Sequence, residues 1–275
     1  MELDLSNLPD ENDFKKLVDI EARASRVMKL VFNGKRMEKD ELGQLTPEMF
    51  MGYLFTERQI RHTESFSLLI TTSDKILISR TMFEGALFLA YAIKTKNTKE
   101  LAKRWKLHFF VEYVEHSNEK GFPADLKKQI EENITDIDRF FKNSKGRYSN
   151  KWQTENIHDI ALSLDVVCKS MYVNYYKPMA EYHHWSALSI LQYSHVNANE
   201  RGSQIKNIVD LTNSYLISVF STLLVSKIFL TIFSNKSDIQ ISEIEKIEKS
   251  LSELSFIKTK KITVSSIEIE QTHQI

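Results

Sequence analysis

Apolar residues recur at three- and four-residue spacing along most of the chain, and strict alternation is confined to its far C-terminal end. The first spacing places apolar side chains on one face of a helix, whereas alternation belongs to strands. The pattern predicts helices at roughly 11–33, 46–72, 74–95, 98–117, 123–142, 151–176, 180–195, 203–234 and 239–254. Thr46-Pro47-Glu48 marks one start, with threonine as cap and proline in the first turn. Pro123, just after Gly121, plays a similar part. Pro178 predicts a kink or a fresh start, because it lacks an N–H and its ring crowds the preceding turn.

From Phe256 onward, "FIKTKKITVSSIEIEQTHQI" alternates β-branched and polar residues. It reads as a short terminal strand, or as a tail that needs a partner, since a lone strand is not stable. The expected fold class is therefore all-α. A multi-helix bundle occupies residues 1–255, with the 74–95 and 203–234 helices at its centre, and a β-like tail occupies 256–275. The low count of seven glycines and four prolines in 275 residues agrees with long helices, and 42% hydrophobic content is enough for a core.

Charge narrows the function classes. Thirty-seven basic side chains balance 37 acidic ones, so no general field draws nucleic acid or an anionic membrane, and any polyanion site must be local. The positive run "KTKNTKELAKRWK" (residues 94–106) reads first as a solvated face. Cys168 is the single cysteine, which excludes an intramolecular disulfide and fits a buried structural thiol in a reducing compartment. The acidic N-terminal stretch lacks the basic start and apolar core of a signal peptide, so a cytoplasmic location is expected. The segment from Tyr215 to Phe233 approaches membrane-spanning length. Lys227 and five Ser/Thr residues within it favour a core helix, and no membrane span is expected.

Two places carry candidate chemistry. In "ISRTMFEGALF" the only charges are Arg80 and Glu84, one helical turn apart on the stripe continued by Ile76, Phe83, Leu87 and Tyr91. Both are expected to point inward, and buried charges need partners. Arginine before glutamate is the weaker order for an intrahelical pair, which leaves room for a second helix or a ligand. The other place is "YYKPMAEYHHWSALSILQYSH", dense in tyrosine and histidine, where His184 shares a helical face with Glu181.

Standard signatures such as phosphate loops, nucleophile elbows, H-E-x-x-H and paired C-x-x-C are absent from the sequence. The Arg-then-His spacing of small helical nucleases is also missing, since Arg58 to His62 and Arg104 to His108 are too close. Glu155-x-x-His158 and Glu181-x-x-His184 carry the spacing of ferritin-like di-iron bundles, with Glu112, Glu115 and His116 as further ligand types. Arg80 beside Glu84 opposes a cation there, so neither metal nor cofactor is assigned.

"LISRTMFEGALFLAYAIK", followed about ninety residues later by "NYYKPMAEYHHWSA", resembles a helical bacterial family of unknown function, number five-six-seven-seven. The likeness covers roughly residues 45–235. It implies that Arg80, Glu84, Tyr176 and His184 form a site, and an association of some members with mobile elements and antiviral defence. Ala180 stands where the later motif commonly has serine, so no role needing that hydroxyl is implied.

The resulting expectation is a defence or toxin-type effector acting on a phosphate-containing substrate such as RNA. Arg80, Glu84 and His184 are its catalytic residues, and Tyr176 and Tyr182 bind substrate. One alternative is a non-enzymatic binding or sensor module in which the same network is structural, with a homo-oligomer as a possible assembly. Another is the ferritin-like metal-binding bundle.

Overall fold

A computed structural model of the chain describes residues 9–153, 155–179, 200–233 and 238–257. Among them the architecture is all-α. Helices α1 (Glu11–Asn33), α2 (Lys39–Leu42), α3 (Pro47–Leu68), α4 (Thr72–Lys94), α5 (Thr98–Val114) and α6 (Ala124–Phe141) come first. Then come α7 (Ile157–Leu164), α8 (Val166–Met171), a π-helical turn (Tyr172–Tyr176), α9 (Lys177–Met179), α10 (Glu200–Ile232) and α11 (Asp238–Ser252). No strand occurs among the described residues, where β-pairing is limited to a bridge between Lys142 and Tyr148.

Helix α10 is the axis of the fold, packed along α4 on one side and α1 on the other, with α3 lying across α4 and α10. Phe83 and Leu87 of α4 meet Phe220 and Leu224 of α10 in the main core. Gly52 on α3 lets the two backbones approach, because a Cβ there would stand 2.6 Å from the Ile232 side chain of α10. Helices α5 and α6 close a second, smaller core around Phe110, Ile137 and Phe141. The end of the described chain is tied to the start of α1, where Asp13 accepts from both the N–H (3.0 Å) and hydroxyl (2.5 Å) of Ser255. Phe256 is buried in the main core, while the expected β-like tail from 258 onward lies outside the described residues.

Local chemistry explains most helix ends. Thr46 accepts from the Met49 N–H and Thr71 from the Asp74 N–H, so both start as side-chain-capped helices. The expected single helix over 151–176 is corrected. It begins only at Ile157, capped by Asn156, and breaks at Asp165, which is extended (φ −159°) and turns its carboxylate back onto the Cys168 N–H. Aspartate competes with helix continuation by bonding nearby backbone, and here it ends one helix and starts the next. The distortion expected at Pro178 sits one turn earlier, in the π turn, and the chain is helical through Pro178 itself. The expected 180–195 helix lies outside the described residues.

Two helices are long and apolar enough to cross a membrane by length and composition, Thr72–Lys94 and Asn207–Ile232. Within this fold 61% and 78% of their apolar windows are buried, so each serves as a wall of the core. Lys227, the charge inside the second, reaches Glu248 of α11 at 2.7 Å. Ser214, Ser221 and Ser226 of that helix return their hydroxyls to their own backbone, as Ser221 does to the Ile217 carbonyl at 2.6 Å. Cys168 is buried, and burial pushes its thiol well above the usual range.

One buried carboxylate makes stability depend on pH. Glu21 of α1 is 5% exposed, accepts from the Ser218 hydroxyl of α10 at 3.2 Å, and faces Lys75 and Tyr215. Burial raises its carboxyl from 4.5 to about 6, against the opposing Ser218 bond and Lys75 charge. A raised carboxyl holds its proton longer in the folded than the unfolded chain, so stability falls as pH rises through this window. The fall attributable to Glu21 should be about 2 kcal/mol. Urea unfolding at pH 4.5 and pH 7 should show this difference between the wild type and Glu21→Gln, and parallel profiles would refute it.

Candidate functional site

Arg80 and Glu84 stand one turn apart on α4, and the π turn brings Tyr176 over them. Each π turn adds one residue to a helix, rotating the residues beyond it by about 100° relative to an unbroken α-helix. Here the Lys177 N–H bonds the Tyr172 carbonyl five residues back, and Tyr176 is turned toward α4. Its hydroxyl accepts from Arg80 Nη2 at 3.2 Å and donates to Glu84 Oε1 at 2.5 Å. Arg80 Nη2 lies 3.6 Å from that same carboxylate oxygen, closing a three-residue ring.

Aromatic packing holds this ring in place. Phe83 lies 5.1 Å from the Tyr176 ring, and Tyr172 stacks against Tyr176 at 5.2 Å. The Arg80 guanidinium carbon is 5.0 Å from the Tyr176 ring centre, close enough for a cation–π contribution. Arg80 and Tyr176 are buried, whereas one third of the Glu84 side chain is exposed. The expectation that both charges point fully inward is thus corrected for Glu84, whose carboxylate forms the solvent-facing edge. Burial, with the Glu84 bond and charge, pushes the Tyr176 hydroxyl far above its usual range, outweighing the opposing Arg80 guanidinium. The hydroxyl therefore stays protonated and acts as a donor.

Of the residues singled out in the sequence, Arg80, Glu84 and Tyr176 meet in space. Tyr182 and His184 lie outside the described residues. Sequence reasoning missed two neighbours. The His158 ring lies 5.4 Å from Tyr172, which in turn stacks on Tyr176, so an aromatic ladder runs from an exposed histidine to the buried tyrosine. Its only visible signal was the Glu155-x-x-His158 spacing, which the structure does not arrange as a ligand pair. His158 Nδ1 contacts Asp159 at 3.1 Å, while Glu155 accepts from Tyr91. Among the described residues no group of three or more His, Cys, Asp or Glu side chains is gathered as a metal site requires.

The basic run also departs from a purely solvated face. Lys103 bonds Asp136 at 2.6 Å and Lys94 donates to the Leu164 carbonyl at the end of α7. Arg104 turns toward a cleft of about 200 Å³ between α4, α5 and α6, which is separate from the Arg80 ring.

Neither a curated protein nor a solved structure matches the chain. A family model does match, over residues 54–203, which contain α4, the π turn and the Arg80, Glu84 and Tyr176 side chains. That match covers more than half of the sequence, and the chain belongs to the family of unknown function DUF5677.

Proposed function

We propose that the chain acts on a phosphate-containing substrate, with RNA the first class to test, as an effector of the defence or toxin type. The observation carrying this reading is a buried guanidinium and a protonated tyrosine hydroxyl sharing one carboxylate whose outer edge faces solvent. Donors fixed in a partly dry site stabilise charge that develops on a phosphate far better than donors in water. In this reading Arg80 stabilises the developing charge, Glu84 orients Arg80, Tyr176 and Tyr182 hold the substrate, and His184 moves the proton.

The test compares wild type with Arg80→Lys, Tyr176→Phe and His184→Ala for growth arrest on expression and for cleavage of total RNA by the purified proteins. The reading expects folded variants with activity reduced about 100-fold or more. Absence of cleavage by the wild type, or equal activity in all four, would end it.

A second reading rests on burial: Arg80 is 6% exposed and Tyr176 3%. A ring so enclosed can instead fix how the π turn docks on α4 within a binding or sensor module. That reading expects Tyr176→Phe to lower thermal stability in step with any loss of function.

A further inference from the structure

The cleft beside Arg104 has its own chemistry. Six of the side chains around it are Tyr91 of α4, Glu100, Leu101 and Arg104 of α5, Phe140 of α6, and Glu155 just before α7. The Arg104 guanidinium borders this cleft, and its carbon lies 5.4 Å from the centre of the Phe141 ring. Burial works against the charge of this guanidinium, while Glu155 and Glu100 support it through space. The two carboxylates are partly engaged already, Glu155 by the Tyr91 hydroxyl and Glu100 by Arg139 at 3.4 Å.

A guanidinium that borders a cleft offers a planar fork of donors to whatever enters it. The occupant must therefore offer acceptors to Arg104. It must also offer donors to Glu100 or Glu155, present a flat apolar face to Phe140 and Leu101, and fit about 200 Å³. Glu100 and Glu155 both stand at the lining, where their carboxylates disfavour a phosphate or carboxylate beside them. Guanine meets all of these demands. It is neutral and flat, its O6 and N7 form an acceptor pair that arginine reads with two parallel bonds, and its N1–H and amino group form a donor pair suited to a carboxylate. Adenine lacks that acceptor pair and has only one donor group on the corresponding edge.

We propose that this cleft is a binding site for a guanine base, with Arg104 on its acceptor edge, Glu100 or Glu155 on its donor edge, and Phe140 against its face. The site stands independently of the role given to Arg80. It opens on the same side of α4, since Glu84, Phe88, Tyr91 and Thr95 form one partly exposed stripe on that helix. Tyr91 lies two turns beyond Glu84, an axial rise of about 10 Å.

Calorimetric titration of the whole protein with guanosine, adenosine and free arginine tests the site, the last being a net cation that also carries donors. Guanosine should bind at least tenfold more tightly than adenosine. Arg104→Met, and at least one of Glu100→Gln and Glu155→Gln, should weaken guanosine at least tenfold while leaving the melting temperature near that of wild type. Should Arg104→Met unfold the protein, Arg104→Lys keeps the charge but not the planar fork, and it should show the same loss. No heat with guanosine, equal affinity for adenosine, preference for arginine, or unchanged binding in the folded Arg104 variants would each overturn the proposal.

Discussion

Phe83→Ala should cost the fold about 3–5 kcal/mol, the range for emptying a fully buried aromatic position. Phe83 is 0% exposed, and its ring lies 5.9 Å from Phe220 of α10 and 5.1 Å from Tyr176. The substitution opens a void where the two central helices meet and removes the wall behind the tyrosine. Surrounding side chains relax only partly into such a void, so the lost contacts add to the lost burial. Phe83→Leu keeps much of the volume and should cost distinctly less. Urea unfolding of the three proteins measures this, and a cost below about 1 kcal/mol for alanine would mean that α4 and α10 do not form the centre of stability.

Glu248→Ala should destabilise by about 3 kcal/mol, because it strips the Lys227 ammonium of a carboxylate in a nearly dry setting. The Glu248 side chain is 7% exposed and that of Lys227 20%. Most of this cost is the loss of the carboxylate facing a largely buried ammonium rather than the net worth of the pair, and that distinction can be measured. The double variant Lys227→Met with Glu248→Leu should recover most of the loss, since an apolar pair of similar size needs no desolvation. Equal costs for the single and double variants, read from urea midpoints, would show that packing alone matters at this junction of α10 and α11.

Much of the fold was legible because it rests on local rules. Apolar periodicity located α1 and the α4–α10 centre, and Thr46 announced the start of α3. The inward setting of Arg80 came from its place on an apolar stripe. The features that escaped depend on groups distant in sequence, or on one side chain overriding a pattern. Asp165 interrupts an otherwise continuous helical spacing by capping Cys168, and nothing in periodicity distinguishes that from a surface aspartate. The π turn inserts a residue without changing composition, so the facing of Tyr176 was not derivable from spacing. Arg104 looked like one cation among several, because Glu155 and Phe140, which give it a setting, arrive some 36 to 51 residues later.

The pairing of α4 with α10 also sets a timetable for synthesis. More than a hundred residues separate Lys94 from Glu200, so α4 leaves the ribosome long before the helix that covers it. At typical elongation rates the interval is roughly 5–20 s. Throughout it a helix with the length and apolarity of a membrane span has only α1, α3 and the helices made after it for shelter. The nascent chain thus carries a hazard of misdirection or aggregation between the synthesis of α4 and that of α10, and release from that hazard comes with the emergence of residues 200–232.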